Sequence, residues 1–372
     1  MSSAASPAPL RAIGAAFALP GQFREAAPYG NGHINDTYAA VYEQNGRRVR
    51  YIHQRINDRV FKQPAVIMDT IARVTDHLRR KLAERGMPDA ERRTLTLVPA
   101  ADGRPCHVDA DGKTWRTYRF IEGATTYDVI TDARQARQAA AAFGAFQEML
   151  RDLPGPRLAE TIPFFHHTPA RFEALEQAIA ADARNRAASC REEIAFCLAR
   201  KAMTDRLIRL QAEGRIPERI THNDTKINNV MLDDRTGEGL CVIDLDTVMP
   251  GSSLYDFGDA IRYGATTAAE DEIDASKMGL SMELFSRFAA GFVPEADGFL
   301  TRREMELLPL GAKVITFENG MRFLMDYLEG DTYYKTAYPE HNLARARTQI
   351  ALLRDIELRF GEMTEVVRRL LK

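Results

Sequence analysis

An α+β fold in two lobes is what this sequence predicts, on three observations. Its 372 residues exceed what one hydrophobic core usually serves. Up to about residue 121, short runs of alternating apolar residues are separated by Gly, Asn-Gly and Asp-Gly turn signals, the pattern of strands. From Thr131 onward the apolar residues recur at helical spacing almost throughout. The expected lobes are residues 10–121, a small antiparallel sheet with one helix, and residues 122–372, mostly helical.

Composition narrows the class. Hydrophobic residues make up 45% and charged residues 27%, as in soluble globular proteins. Lysine and arginine total 50 against 52 acids, a net charge of −2, so there is no global basic field for nucleic acid or an anionic membrane. The expected partner is a small molecule, with the chain a monomer or weak homo-oligomer. Cys106, Cys190, Cys197 and Cys241 form neither a disulfide framework nor a CxxC metal site and read as small core residues in a reducing, cytoplasmic compartment. No run approaches the roughly 18–20 apolar residues of a membrane span. The apolar stretch 13–19 is short and lacks an A-x-A cleavage site, so the N-terminus reads as a loose tail and a short helix rather than an export signal.

Taken in order, residues 23–29 and 37–44 are expected as strands joined by Gly30-Asn31-Gly32-His33-Ile34-Asn35-Asp36. Gly30 and Gly32 let backbone amides approach phosphate oxygens, and Asn35 stands where such loops can carry a third glycine. A lone Gly-x-Gly is also an ordinary hairpin turn. Asn45-Gly46 predicts a two-residue hairpin into a third strand, 48–56. Pro64 opens a helix to about Arg85, with Ile67, Ile71, Val74, Leu78 and Leu82 on one face and Asp69 and Asp76 on the other. Strands follow at 94–99, 105–108 and 113–121, separated by Asp102-Gly103 and Asp111-Gly112 turns. The Ala-rich stretch 133–151 aligns Ala139, Phe143, Phe146 and Leu150 for core packing. His166-His167 lacks the i, i+4 spacing of a helical metal pair, which leaves a structural role or a place at a substrate rim. Residues 171–210 are expected as two long, charge-studded helices.

The chemistry concentrates in residues 220–247, ITHNDTKINNVMLDDRTGEGLCVIDLDT. A polar loop leads through a short apolar piece and a turn to an apolar strand, 240–243, ending on Asp244 and Asp246. The spacing His-x-Asp-x-x-x-x-Asn, with a strand-borne Asp about 20 residues on, matches the phosphoryl-transfer arrangement of kinase-like enzymes. One carboxylate must accept or orient the proton of an attacking hydroxyl; an amide and a second carboxylate must hold Mg2+ on the nucleotide phosphates. Those roles fall to Asp224, Asn229 and Asp244. Any one of them alone would more often brace a turn; the combination carries the reading. Lys226 is weighed evenly between the phosphates and a plain surface. His222, Asp256 and Asp259 read as braces of the loop, and Asp246 as a second metal contact or an anchor for its turn. In kinases the third strand carries a lysine that pairs with the α/β-phosphates, yet the residues here are Tyr51-Ile52-His53-Gln54-Arg55. Strand alternation puts Gln54 at the lysine position if Ile52 faces the adenine; if a base is required, Arg55 must turn inward and His53 contact the adenine instead.

HNDTKINNVMLD followed by VIDLDTVMPGSSLYDFGDAIRYG resembles the aminoglycoside phosphotransferase and choline kinase superfamily. With YGNGHINDTY, YIHQRINDRVF, RFIEGATTYD and FENGMRFLMDYLEGDTYYK, the chain is most similar to bacterial N-acetylhexosamine 1-kinases within it, from about Leu10 to the last helix. The resemblance implies a two-lobe, protein-kinase-like fold, with ATP and Mg2+ as cofactors. It implies an interlobe hinge at Arg119 to Gly123, with Arg119 and Ile121 reading the adenine edge. It further implies sugar contacts at His33, Arg322 and Tyr333. The acidic run Glu270-Asp271-Glu272-Ile273-Asp274 would suit a cationic acceptor if it faced one, and otherwise starts a helix. Arg and Tyr side chains in the late segment suit a neutral, hydroxylated sugar. The expected reaction is transfer of the ATP γ-phosphoryl group to the anomeric hydroxyl of an N-acetylhexosamine. The rivals are a kinase of another small acceptor and a nucleotide binder without transfer activity.

Overall fold

The structure, a computed structural model, describes residues 7–30 and 34–371. The chain divides into two compact units. One runs through Ala124 and takes in Leu153–Ile162 and Leu240–Val248; the other comprises Thr125–Asp152, Pro163–Gly239 and Met249–Lys372.

The first unit is an antiparallel sheet with two helices, α1 (Pro7–Ala15) and α2 (Pro64–Glu84). Its strands are β1 (Gln22–Pro28), β2 (Asp36–Gln44), β3 (Arg47–Arg55), β4 (Leu97–Val98), β5 (His107–Val108) and β6 (Thr114–Arg119), in the order β1-β2-β3-β6-β4 with β5 also on β6. Asn45 and Gly46 both take positive φ, 50° and 75°, the backbone of a twist-matched two-residue hairpin, and this fixes the register Gln44 opposite Arg47. That register puts Tyr38, Tyr42, Tyr51 and Trp115 on one face, where Leu10 and Ile13 of α1 join them in a core. In α2, Pro64 starts the helix, Ile67, Ile71, Val74, Leu78 and Leu82 are buried, and Asp69 and Asp76 lie exposed beside Arg73 and Arg79. β4 and β5 are two residues each, shorter than expected. Local hydrogen bonds close the turns that follow each: Asp102 accepts from the Arg104 amide, and Asp109 from those of Asp111 and Lys113.

The second unit is helical around small strands. After β7 (Ala124–Thr125) come α3 (Ala133–Leu150), α4 (Thr168–Ala181), α5 (Arg191–Leu198) and α6 (Arg206–Ala212). Residues 171–210 therefore form three pieces, not two long helices. Asp182 and Asn185 adopt left-handed backbone, and the Asp182 carboxylate accepts from the Arg186 and Ala187 amides, which ends α4. Next are β8 (Arg219–Thr221), β9 (Val230–Asp233), β10 (Gly239–Val242, whose residues from Leu240 on belong to the first unit) and β11 (Met249–Gly251), β8 pairing antiparallel with β11. The chain closes with α7 (Ser253–Gly264), α8 (Met282–Ala296), α9 (Arg302–Glu306), α10 (Leu308–Glu329) and α11 (His341–Leu370). α7 and α10 cross where Gly258 meets Gly311; a Cβ on either would run into the other helix's backbone. No helix among the described residues is long and apolar enough to cross a membrane.

Candidate active site

In the second unit, β8 delivers the chain into the loop His222 to Lys226, and a single turn, Ile227–Asn229, leads on into β9. The loop's amides would be orphaned in the interior without acceptors. Asp256, in the first turn of α7, takes those of His222 at 2.8 Å and Asn223 at 2.7 Å; Asp259, one turn on, takes that of Thr225 at 2.9 Å. His222 is buried edge-on against Phe143 and Phe146, and its Nδ1 accepts from the Asp224 amide at 3.3 Å. Burial raises the pKa of Asp256, against the pull of His222 and the two donated amides.

This bracing presents Asp224 half-buried. Asn229 Nδ2 donates to its Oδ2 at 3.0 Å and to its backbone carbonyl at 2.8 Å, while Lys226 Nζ lies 3.1 Å from Oδ1. Burial works to raise the Asp224 pKa, but Lys226, His222 and Arg262 outweigh it and hold the carboxyl below its ordinary value. Lys226 is pushed up, chiefly by Asp224 and against its own burial. With Asn229 Nδ2 committed to Asp224, its Oδ1 is the hard oxygen left for a cation. The Asp244 carboxylate is another oxygen of that kind; taken singly, each residue has the donor chemistry that suits Mg2+. Among the described residues, no three His, Cys, Asp or Glu side chains gather as a metal site of their own.

In the first unit, β10 ends at Asp244, which is left-handed at φ 59°, and a turn at Leu245–Thr247 follows. The second acid, Asp246, is buried and taken by Arg116 of β6. The guanidinium grips it with both terminal nitrogens, Nη2 at 2.9 Å from Oδ2, and its Nε donates to Gln54 Oε1 at 2.8 Å. Arg116 is 1% exposed; burial disfavours its charge, yet Asp246 and Asp244 raise its pKa above the ordinary arginine value. Asn35 donates to Asp246 Oδ2 at 2.6 Å and accepts from the Asn57 amide, so both ends of its side chain are engaged within the protein.

No arginine on the third strand turns inward among the described residues; the buried base of this face is Arg116, on the neighbouring strand. Gln54 is directly opposite Arg116 and bridges it to Thr37, and Arg55 does not turn inward; it pairs with Asp36 at a surface where its side chain is 43% exposed. His53 is buried, with both ring nitrogens engaged, by Tyr42 and Thr117. The Arg119 side chain faces out to Glu91, its amide donates to Thr96, and Ile121 is buried. Gly30 is left-handed at φ 78°; Gly32 and His33 lie outside the described residues. Arg116 was missed from the sequence. Its signal was a charged residue on the Tyr118 side of β6, legible only once the β3–β6 register is known.

Back in the second unit, Arg322 on α10 is 8% exposed, with the rings of Phe165, Tyr334 and Tyr333 at 5.3, 5.7 and 5.9 Å. It makes no hydrogen bond or ion pair among the described residues. Tyr333 is 57% exposed. Its loop is set by Asp326, whose carboxylate accepts from the amides of Thr332, Tyr333 and Tyr334 and from Asn342 Nδ2. Within the acidic run only Glu270 reaches inward, to buried Arg262; Asp271 is exposed and 3.5 Å from His341, Glu272 bonds the exposed Lys277, and exposed Asp274 caps a turn at Ser276.

A family model described as the phosphotransferase enzyme family matches residues 25–285. An aminoglycoside phosphotransferase from Alicyclobacillus acidocaldarius subsp. acidocaldarius DSM 446 is similar in structure, with TM-score 0.57 and 15% identity over 96% of each chain. Spectinomycin phosphotransferase APH(9)-Ia, solved with ADP and spectinomycin, gives 0.54 and 11%, covering 91% of this chain and 94% of its own. Choline kinase from Cryptosporidium parvum Iowa II gives 0.53 and 12%, covering 93% and 92%. At these identities the likeness shows the shared fold: a small antiparallel-sheet lobe and a larger helical lobe.

Proposed function

The chain belongs to the phosphotransferase enzyme family, and from that premise we propose that it transfers the γ-phosphoryl group of ATP to the anomeric hydroxyl of an N-acetylhexosamine, yielding the sugar 1-phosphate and ADP. The observation that carries the transfer reading is Asp224, ionised below its ordinary pKa and fixed at both oxygens by Asn229 and Lys226. In this reading Asp224 orients the acceptor hydroxyl and takes its proton. Lys226 exchanges its hold on Asp224 for the transferring phosphoryl group. Asn229 Oδ1 and Asp244 hold Mg2+, which supplies charge neutralisation on the phosphate oxygens. Arg116 stands in for the third-strand lysine as a structural cation, clamping Asp246 and hence the turn that follows Asp244. The Gly30 loop covers the phosphates, and Arg119 and Ile121 line the adenine edge through their backbone.

For the acceptor, the support is charge. A buried guanidinium that has no direct ion pair among the described residues, with Glu318 one turn away as its acidic neighbour and aromatic faces around it, disfavours a second cation and suits hydroxyl and carbonyl oxygens of a neutral sugar. In the acidic run that would welcome an aminoglycoside or choline, Glu270 is committed to buried Arg262 and Glu272 to Lys277. Arg322, Tyr333 and His33 are the proposed sugar contacts. The setting is cytoplasmic, where ATP and free thiols coexist.

The test is ³¹P NMR with ATP, Mg2+ and an acceptor panel: N-acetylglucosamine, N-acetylgalactosamine, glucose, galactose, an aminoglycoside and choline, with Asp224→Asn as control. A phosphomonoester coupled to an anomeric proton, seen with the N-acetylated sugars alone, is the expected result. Signal with choline or the aminoglycoside instead would move the acceptor; no signal with any acceptor would overturn the transfer reading.

A further inference from the structure

We propose that His166 is a positioning residue for the transfer base, locking the peptide that carries Asp224 to Glu318 on α10; this rests on the reading of Asp224 as that base. The peptide between Asn223 and Asp224 is planar, so its tilt sets where the Asp224 side chain leaves the loop. Both of its polar ends are held by imidazoles. The Asp224 amide donates to His222 Nδ1 at 3.3 Å, and the Asn223 carbonyl oxygen lies 3.2 Å from His166 Nε2.

Such restraint is needed because Asn223 is left-handed, at φ 66°, a conformation a non-glycine residue keeps only where its surroundings over-determine it. His166 is itself fixed. Its Nδ1 is 2.8 Å from Glu318 Oε1, and the ring is packed between Phe165 and Tyr255 with centroids at 4.6 and 5.0 Å. Glu318 is fully buried, and its other oxygen accepts from Thr168 Oγ1 at 2.6 Å. Burial opposes its ionisation, but His166, Arg322 and Thr168 outweigh that and hold its pKa below the ordinary value.

Glu318 lies one turn before Arg322 on α10, and Phe165 touches both the His166 ring and the Arg322 guanidinium. A single imidazole thus joins the wall of the proposed acceptor pocket to the backbone of the proposed base. A ligand that engages Arg322 is coupled through it to the aim of Asp224. This gives the first histidine of His166-His167 a role that is neither metal ligation nor rim contact. His167 does different work, its Nδ1 accepting the Ala170 amide at the start of α4.

The experiment measures kcat, both KM values and Tm for His166→Gln, His166→Leu and the charge-matched double variant His166→Leu/Glu318→Gln, each also in an Asp224→Asn background. The double variant removes the ring without stranding a buried carboxylate, so it reports even if His166→Leu does not fold. Loss of the ring is expected to lower kcat about 10- to 100-fold, the scale of a misaimed reacting group, with the KM for ATP within about twofold. His166→Gln, which retains an N–H donor, should recover most of that. In the Asp224→Asn background the same changes should cost nothing further, because groups acting through one residue are non-additive. Wild-type kcat in the folded double variant, or equal losses in both backgrounds, overturns the proposal. Full turnover in Asp224→Asn alone would instead remove the base assignment and leave the two failures distinct.

Discussion

The two acidic segments proposed to do the chemistry are secured by opposite means. The Asp224 loop is held by its own backbone: amide after amide donates to carboxylates on α7, and the side-chain cation Lys226 stays partly exposed. The Asp244 segment has one dominant clamp, the buried guanidinium of Arg116 closed on Asp246. Distributed hydrogen bonds lose strength one at a time. A buried ion pair fails as a unit, because removing one partner leaves the other charged and dry. Damage to the first segment should therefore appear in turnover, and damage to the second in stability.

Four experiments break or sharpen that contrast, from the largest effect down. Arg116→Met should destabilise the protein by about 3–5 kcal/mol in urea denaturation, the cost of an uncompensated buried charge. Arg116→Met/Asp246→Leu should recover most of this, yet lose the thermal shift given by ATP with Mg2+ if the clamp also aims Asp244. Next comes acid. His53 is buried with its pKa lowered from 6.5 to about 4 by desolvation. Between those values the unfolded chain takes up a proton that the folded chain refuses. Stability is thus full above pH 6.5 and falls by up to about 3 kcal/mol as pH drops to 4. His53→Gln should flatten that slope in pH-dependent melts, and an unchanged slope would refute the assignment.

Asp224→Asn should lower kcat by at least about a hundredfold, a general-base contribution, while Tm and nucleotide binding stay near wild type. A large Tm loss there would erase the contrast. The smallest effect is expected at Arg55→Ala, within about 1 kcal/mol in the same denaturation assay, since its pair with Asp36 is half exposed and screened. Two arginines on neighbouring strands would then differ several-fold in what they hold up.

What could be read from the sequence was what is local. The Asn45-Gly46 hairpin, the buried face of α2 and the spacing of Asp224, Asn229 and Asp244 depend on residues a few positions apart or on one turn type. Arg116 was invisible because its meaning lies in a cross-strand neighbour, Gln54, and in Asp246, 130 positions on. His166 and Glu318 meet across 152 positions, and no periodicity links them. The break after α4 was open to view: Asp182 and Asn185 are residue types that tolerate left-handed backbone, and the helical spacing around them masked it. The acidic run misled in the opposite direction, since four acids within five residues suggest a shared face until each is traced to its own partner.

The contact of Gly258 with Gly311 also governs the site's calibration. α7 carries the acceptors for the loop amides; α10 carries Glu318 and Arg322. These two sets of groups are machined, in effect, onto two rods whose backbones come closest at one bare point. A methyl group there acts as a shim. It would widen the gap without altering any functional side chain, throwing Asp256 out of step with Glu318. An alanine at either glycine should thus resemble a distant active-site lesion, although neither position faces a substrate.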